Sequence, residues 1–116
     1  MFFYYKIVRS FANDMKEIIV QEKITNEQKK AARYAKAFGH PVRMYVLELV
    51  SKQSCCYSGD LTEDLPIAKS TLSQHLKELR DAGLIQGTIE APRIKYCLNK
   101  ENWEEAKRLF EKFFNK

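Results

Sequence analysis

The run "PIAKSTLSQHLKELRDAGLI", residues 66–85, allows very few structures. Leu72, Leu76 and Leu79 recur at four- and three-residue spacings, which places them on one side of a helix from about Ala68 to Ala82. Pro66 stops whatever precedes that helix. Gly83 terminates it before Leu84 and Ile85 turn the chain into a strand. The opposite side carries Lys69, Ser70, Ser73, Gln74 and Lys77, with Thr71 at its margin near the N-terminus. A helix face that only meets water is more often filled with Glu and Lys. What this face touches is therefore the main question the sequence poses.

The flanking segments give it a setting. Residues 2–20 place Tyr4, Ile7, Val8, Phe11, Met15, Ile18 and Ile19 on a helical apolar stripe, with Lys6, Arg9, Asn13, Asp14 and Lys16 opposite. That stripe is expected to pack on the body of the domain or on a second copy, the alternative being a loosely held extension. It breaks around Thr25–Asn26. A second helix follows through Ala31, Ala32, Ala35 and Phe38, and Gly39 reads as its left-handed cap. Pro41 opens a third helix that buries Val42, Tyr45, Val46, Leu49 and Val50 and frays near Ser51–Ser54. A short helix from about Gly59 to Leu65 turns Leu61 and Leu65 inward.

After the 68–82 helix, residues 84–90 and 93–98 read as a β-hairpin around "EAPR". In its second strand Ile94, Tyr96 and Leu98 alternate with Arg93, Lys95 and Cys97, the pattern of a half-buried strand. Asn99 caps a last helix in which Trp103, Ala106, Phe110 and Phe113 recur at helical spacing. The order gives a mainly α fold with a β-hairpin wing, a winged helix-turn-helix. Residues 25–116 are expected to form a DNA-binding and dimerisation domain, and residues 1–24 an N-terminal helical extension. A chain of 116 residues holds one such core and not two.

In that fold the polar side of the 68–82 helix fits a major groove. Gln74 suits adenine, Ser70, Thr71 and Ser73 suit bases or phosphates, and Lys69 and Lys77 supply charge. Arg93 and Lys95 on the wing suit the adjacent backbone or minor groove. A formal net charge of +5 and a pI near 9.1 agree with an anionic partner. A winged-helix module that binds a protein is the alternative. No Ser–His–Asp or Cys–His arrangement and no glycine-rich phosphate loop is visible, so an enzyme is not expected. His75 has a structural or phosphate-side role, and the only other histidine, His40, begins a helix. No apolar run reaches membrane-span length and the N-terminus lacks the order of a secretory signal, so a cytoplasmic protein is expected. Three cysteines, Cys55, Cys56 and Cys97, then argue for free thiols or metal ligands rather than a disulfide framework.

From about Ala35 to Phe114 the chain resembles the ArsR/SmtB-type winged-helix repressors of bacteria. The resemblance rests on "AFGHPVRMYVLELV", on "DLTEDLPIAKSTLSQHLKELRDAGLI" and on "YCLN" closing the wing. It implies a homodimer, paired through its first and last helices, that sits on an inverted-repeat operator of double-stranded DNA and releases it when a toxic ion binds. Trp103, Phe110, Phe113 and Phe114 put more aromatic surface on the last helix than a thin domain easily hides, which independently suits dimerisation.

Cys55 and Cys56 stand where arsenic-sensing members of that family keep their thiolates, and thiolates suit trivalent arsenic or antimony. The family pattern has two cysteines separated by one residue directly before Asp-Leu. Here the pair is contiguous, with Tyr57, Ser58 and Gly59 before Asp60–Leu61. Cys97 is open between a third ligand and a small apolar filler. Arsenite or antimonite at these thiols is the expected inducer, no cofactor being required, and a redox-thiol switch is the alternative. Zinc at the last helix is not expected, because "ENWEEAKRLFEKFFNK" contains no histidine.

Overall fold

The computed structural model describes residues 2–53, 56–59, 61–88 and 95–116. They fall into two units, Met1–Lys30 and Ala31–Lys116. In the first, helix α1 (Phe2–Lys23) leaves Tyr4, Ile7, Val8, Phe11, Met15, Ile18 and Ile19 exposed. Thr25 then caps the start of helix α2 (Asn26–Phe38) reciprocally: Gln28 N–H donates to Thr25 Oγ1 at 3.1 Å and Thr25 N–H to Gln28 Oε1 at 2.9 Å.

In the second unit α2 turns Tyr34 and Ala37 inward. The Tyr34 hydroxyl donates to Glu105 Oε1 at 2.8 Å, and burial together with that carboxylate pushes its pKa up to about 12, so it remains a donor. Gly39 does not take the expected left-handed conformation. The reason lies in who satisfies the end of α2. Arg43 Nε donates to the Ala37 carbonyl at 2.7 Å and its Nη2 to the Lys36 carbonyl at 3.1 Å, so a glycine cap is not required for them. His40, in extended backbone, caps helix α3 (Pro41–Ser51) by accepting from Val42 N–H at 3.1 Å on Nδ1.

Helix α3 buries Val46, Leu47 and Val50, with Val42 and Leu49 half-buried. Tyr45, expected inside, is 41% exposed, since the inward arc runs through Leu47 instead. The short helix expected at 59–65 is a single 3₁₀ turn, Leu61–Glu63, whose Leu61 carbonyl accepts from both Asp64 and Leu65. Leu61 is buried and Leu65 half-buried.

The sheet has three strands where the sequence suggested two. Strand β1 (Tyr57–Ser58) precedes the 3₁₀ turn, and β2 (Ile85–Thr88) and β3 (Lys95–Leu98) belong to the wing. Their order is β1-β3-β2, all pairs antiparallel. Tyr96, in the central strand, is fully buried, and its ring lies 5.3 Å from that of Tyr57. Helix α5 (Lys100–Phe114) starts at Asn99, whose side chain accepts from Asn102 N–H at 3.1 Å, and buries Ala106 and Leu109. Among the described residues the architecture is a winged helix-turn-helix.

Candidate nucleic-acid interface and thiol pair

Helix α4 (Lys69–Asp81) is held along its whole inner side by Leu72, Leu76 and Leu79, which join one core cluster with Val46, Val50, Leu61 and Leu84. Its C-terminus is closed by a Schellman turn. Gly83, at φ +82, donates to the Arg80 carbonyl at 2.9 Å, and Leu84 N–H reaches the Leu79 carbonyl at 3.0 Å. Leu79 and Leu84, the two positions that carry the hydrophobic contact of that motif, are both fully buried in one core cluster. Arg33 of α2 donates to the Asp81 carbonyl in the same last turn. Ala68 makes no side-chain cap hydrogen bond at the helix N-terminus, where the positive end of the helix dipole lies.

With the leucines buried, the remaining side is presented outward. Lys69, Ser70, Thr71, Ser73, Gln74 and Lys77 are all exposed. A rigid helix thus carries hydroxyl, amide and ammonium groups on a single surface, the set that reads base edges and phosphates. On the wing Lys95 is exposed, and Arg93 lies outside the described residues.

Behind the helix sits a cluster that the sequence did not single out. Arg43 Nη1 lies 3.1 Å from His75 Nδ1, and the His75 ring packs 4.2 Å from that of His40. A guanidinium has no acceptor, so His75 Nδ1 accepts and the ring is neutral, its remaining proton on Nε2. Burial, then His40 and Arg43, push the His75 pKa below its ordinary value, which agrees with that assignment. His75 is thus packed against its own chain by Arg43 and His40, and Arg43 is the hub. It joins the end of α2 and the start of α3 to the middle of α4. The one available signal was the His40–Pro41–x–Arg43 spacing, which places a cap, a first-turn proline and a guanidinium within four residues.

Two cysteines meet among the described residues. Cys56 and Cys97 are joined as a disulfide, their Cα atoms 4.3 Å apart, which corrects the expectation of free thiols for this pair. The cause is strand register. Tyr57 faces Tyr96 and Ser58 faces Lys95, so the next antiparallel partners outward are Cys56 and Cys97. Their spacing is close to the ~4.5 Å of a non-hydrogen-bonded pair, where side chains approach best. Both are half-buried. Cys97 is thus the partner of Cys56 rather than an isolated filler. Cys55 lies outside the described residues, and among those described no group of three His, Cys, Asp or Glu is placed to hold a metal ion.

On α5, Trp103 and Phe110 are half-buried with their rings 5.9 and 5.8 Å from that of Phe38, whereas Phe113 and Phe114 are 56% and 77% exposed. The aromatic surface is therefore divided between the core of its own chain and an outward patch at the end of the helix.

Comparison with known proteins bears on this arrangement. The model for bacterial regulatory proteins of the arsR family matches residues 40–86, from the His40 cap to β2. The chain is 38% identical over 72 residues to the HTH-type transcriptional regulator YgaV of Escherichia coli, covering 62% of this chain and 73% of that protein. It is 34% identical over 90 residues to the biofilm growth-associated repressor of Agrobacterium fabrum, covering 75% and 74% respectively. The solved structure of HlyU from Vibrio cholerae superposes with a TM-score of 0.56 at 25% identity, over 80% of this chain and all of that one. The first two of these relatives are named as a transcriptional regulator and a repressor.

Proposed function

Because this chain belongs to the arsR family of bacterial regulatory proteins, we propose that it is a dimeric repressor that reads an inverted-repeat operator with α4 and lets go when the chemistry of its thiols changes. The observation that carries the reading is the orientation of α4: leucines sunk in the core, and Lys69, Ser70, Thr71, Ser73, Gln74 and Lys77 turned outward. Gln74 and the hydroxyls contact base edges, Lys69 and Lys77 contact phosphates, and Arg93 and Lys95 on the wing hold the neighbouring backbone. Phe113 and Phe114, with Trp103 and Phe110 behind them, supply the dimer contact. Trivalent arsenic or antimony bridged by the reduced sulfurs of Cys56 and Cys97, with Cys55 as a further donor, is the ion input. An ion that favours one dimer geometry by about 1–3 kcal/mol shifts operator affinity usefully.

The test is binding to the DNA immediately upstream of the protein's own coding region, measured across a salt series. Log affinity should fall linearly with log salt, and each lysine removed should flatten the slope by about one. A Lys69→Ala/Gln74→Ala/Lys77→Ala variant that bound as tightly as the parent chain would overturn the reading, as would salt-independent binding. For the ion input, arsenite should release DNA from the parent protein and not from Cys56→Ser or Cys97→Ser; equal release from all three removes these sulfurs from the mechanism.

A further inference from the structure

A helix that reads bases has to be held in rotation as well as in place. The buried row of Leu72, Leu76 and Leu79 seats α4 on the core. Apolar packing is non-directional, however, and resists a roll about the helix axis only weakly. Side chains end about 5–6 Å from a helix axis, so a roll of about 20° carries their tips about 2 Å sideways. Hydrogen bonds to base edges tolerate shifts of only a few tenths of an ångström. A flexible lysine that meets a phosphate by charge absorbs a larger one. The roll of α4 therefore decides whether it recognises a sequence or only adheres to DNA.

One side chain sits where that roll can be fixed. His75 is half-buried at the edge of α4, directly after exposed Gln74 and before buried Leu76. Its Nδ1 takes the bond from Arg43 Nη1 at 3.1 Å, and its ring lies against that of His40. Arg43 directs Nε and Nη2 to the Ala37 and Lys36 carbonyls at the end of α2. His40 is itself fixed, because its Nδ1 caps α3 through Val42 N–H. Two further ties, Arg33 to the Asp81 carbonyl and Asn102 to the Gly83 carbonyl, hold the far end of α4. A guanidinium suits the middle position, since its planar fork sends donors in separate directions to acceptors on two helices. An ammonium gathers its donors at one point.

We infer that Arg43 is a positioning residue for operator recognition: by holding His75 it sets the roll of α4, and with it the fit of Ser70, Ser73 and Gln74 to the bases. This rests on the repressor reading above and names a determinant of its specificity. Arg43 is half-buried and commits three of its N–H donors within the chain. It acts on the choice of sequence without contributing its charge to the phosphates.

The experiment titrates the full chain with a labelled duplex from immediately upstream of its own coding region and with a random-sequence duplex, at matched salt. Arg43→Lys keeps the charge and loses the fork. Its affinity for upstream DNA should fall about tenfold, the size of one spoiled base contact. Its affinity for random DNA and the salt slope should stay as in the parent chain, because the lysines that meet phosphates are untouched. His75→Leu should behave in the same way, whereas His75→Gln keeps an acceptor and should stay close to the parent. The Arg43→Lys/His75→Leu double variant should be no worse than the worse single one. Tyr34→Phe is the control for a general loss of stability, since it removes the 2.8 Å bond to Glu105 and leaves α4 alone. It should lower the urea midpoint and keep the parent ratio of upstream to random affinity. Urea midpoints confirm that each protein is folded; should Arg43→Lys not fold, the two His75 variants carry the test. A parent-like ratio in His75→Leu, or an equal fall of the ratio in Tyr34→Phe, overturns the inference and leaves the repressor reading intact. So does a variant that loses upstream and random DNA alike. Failure of the parent protein to prefer upstream DNA overturns both.

Discussion

The side-chain amide of Asn102 donates to the carbonyl of Gly83 at 2.8 Å, fastening the cap of α4 to the first turn of α5. A Cβ on Gly83 would stand 2.8 Å from that same Asn102 nitrogen, on a backbone of φ +82 that other residues occupy at a cost of about 1–2 kcal/mol. Asn102→Ala should lose about 1 kcal/mol, the usual net value of one hydrogen bond. Gly83→Ala should lose more, because it displaces the amide and strains the turn. The double variant should lose less than the sum, since the clash disappears with the amide. Urea midpoints of the four proteins check this, and strict additivity would mean that the two positions do not meet.

Stability should also depend on pH through His75. Its pKa is lowered in the folded protein by burial, then by His40 and Arg43. The unfolded chain therefore binds the proton more readily, and stability rises with pH between the folded value and the ordinary value of about 6.5. Going down in pH, the folded state should be fully stable above about 6.5 and progressively weaker below it. His75→Gln keeps an acceptor for Arg43 and does not titrate, so urea midpoints between pH 7.5 and 5 should lose less in that variant than in the parent chain. Parallel curves for the two proteins would remove His75 from the pH dependence.

Much of this arrangement was legible in the sequence, and the limits were physical. The leucine spacing of 72, 76 and 79 and the stop at Gly83 located α4, because helical period and left-handed capping are local properties. The polar side of α4 followed from the same period. Gly39 misled because the carbonyls at the end of α2 are satisfied by Arg43 from the next helix, a tertiary contact that local capping rules do not see. Strand β1 was invisible, since two residues carry no periodicity and its partner lies some forty positions on. The meeting of Cys56 and Cys97 depends on that register alone, so the free-thiol expectation failed where a tertiary contact decided the outcome.

Gly87 in the wing should be nearly irreplaceable. Its φ is +126, and a Cβ there would overlap the Lys95 carbonyl and lie 3.0 Å from Tyr96 Cα. The neighbouring strand is the central one, so neither backbone is free to yield. Gly87→Ala should destabilise by about 3 kcal/mol, combining backbone strain with loss of strand pairing. Thr88→Ala, one residue along and exposed, should stay within about 0.5 kcal/mol of the parent. Thermal melts of the two variants separate a local steric requirement from a general sensitivity of the wing.

Tyr96 offers a change in the opposite direction. It is fully buried in the central strand, and its hydroxyl has no hydrogen-bond partner among the described residues. Burial, followed by the nearby Tyr57, pushes its pKa well above the ordinary value, so the group stays a neutral phenol with an unmade bond. An unsatisfied buried hydroxyl costs about 1–3 kcal/mol, whereas the ring itself contributes packing against Tyr57. Tyr96→Phe keeps the ring and removes the oxygen, and it should raise stability by about 1 kcal/mol, or about 4 °C in Tm for a domain of this size. Because the residue precedes Cys97, the measurement belongs on the reduced protein, where ring closure does not contribute. A loss of stability there would mean that the hydroxyl finds a partner in the folded chain and that its burial is no penalty.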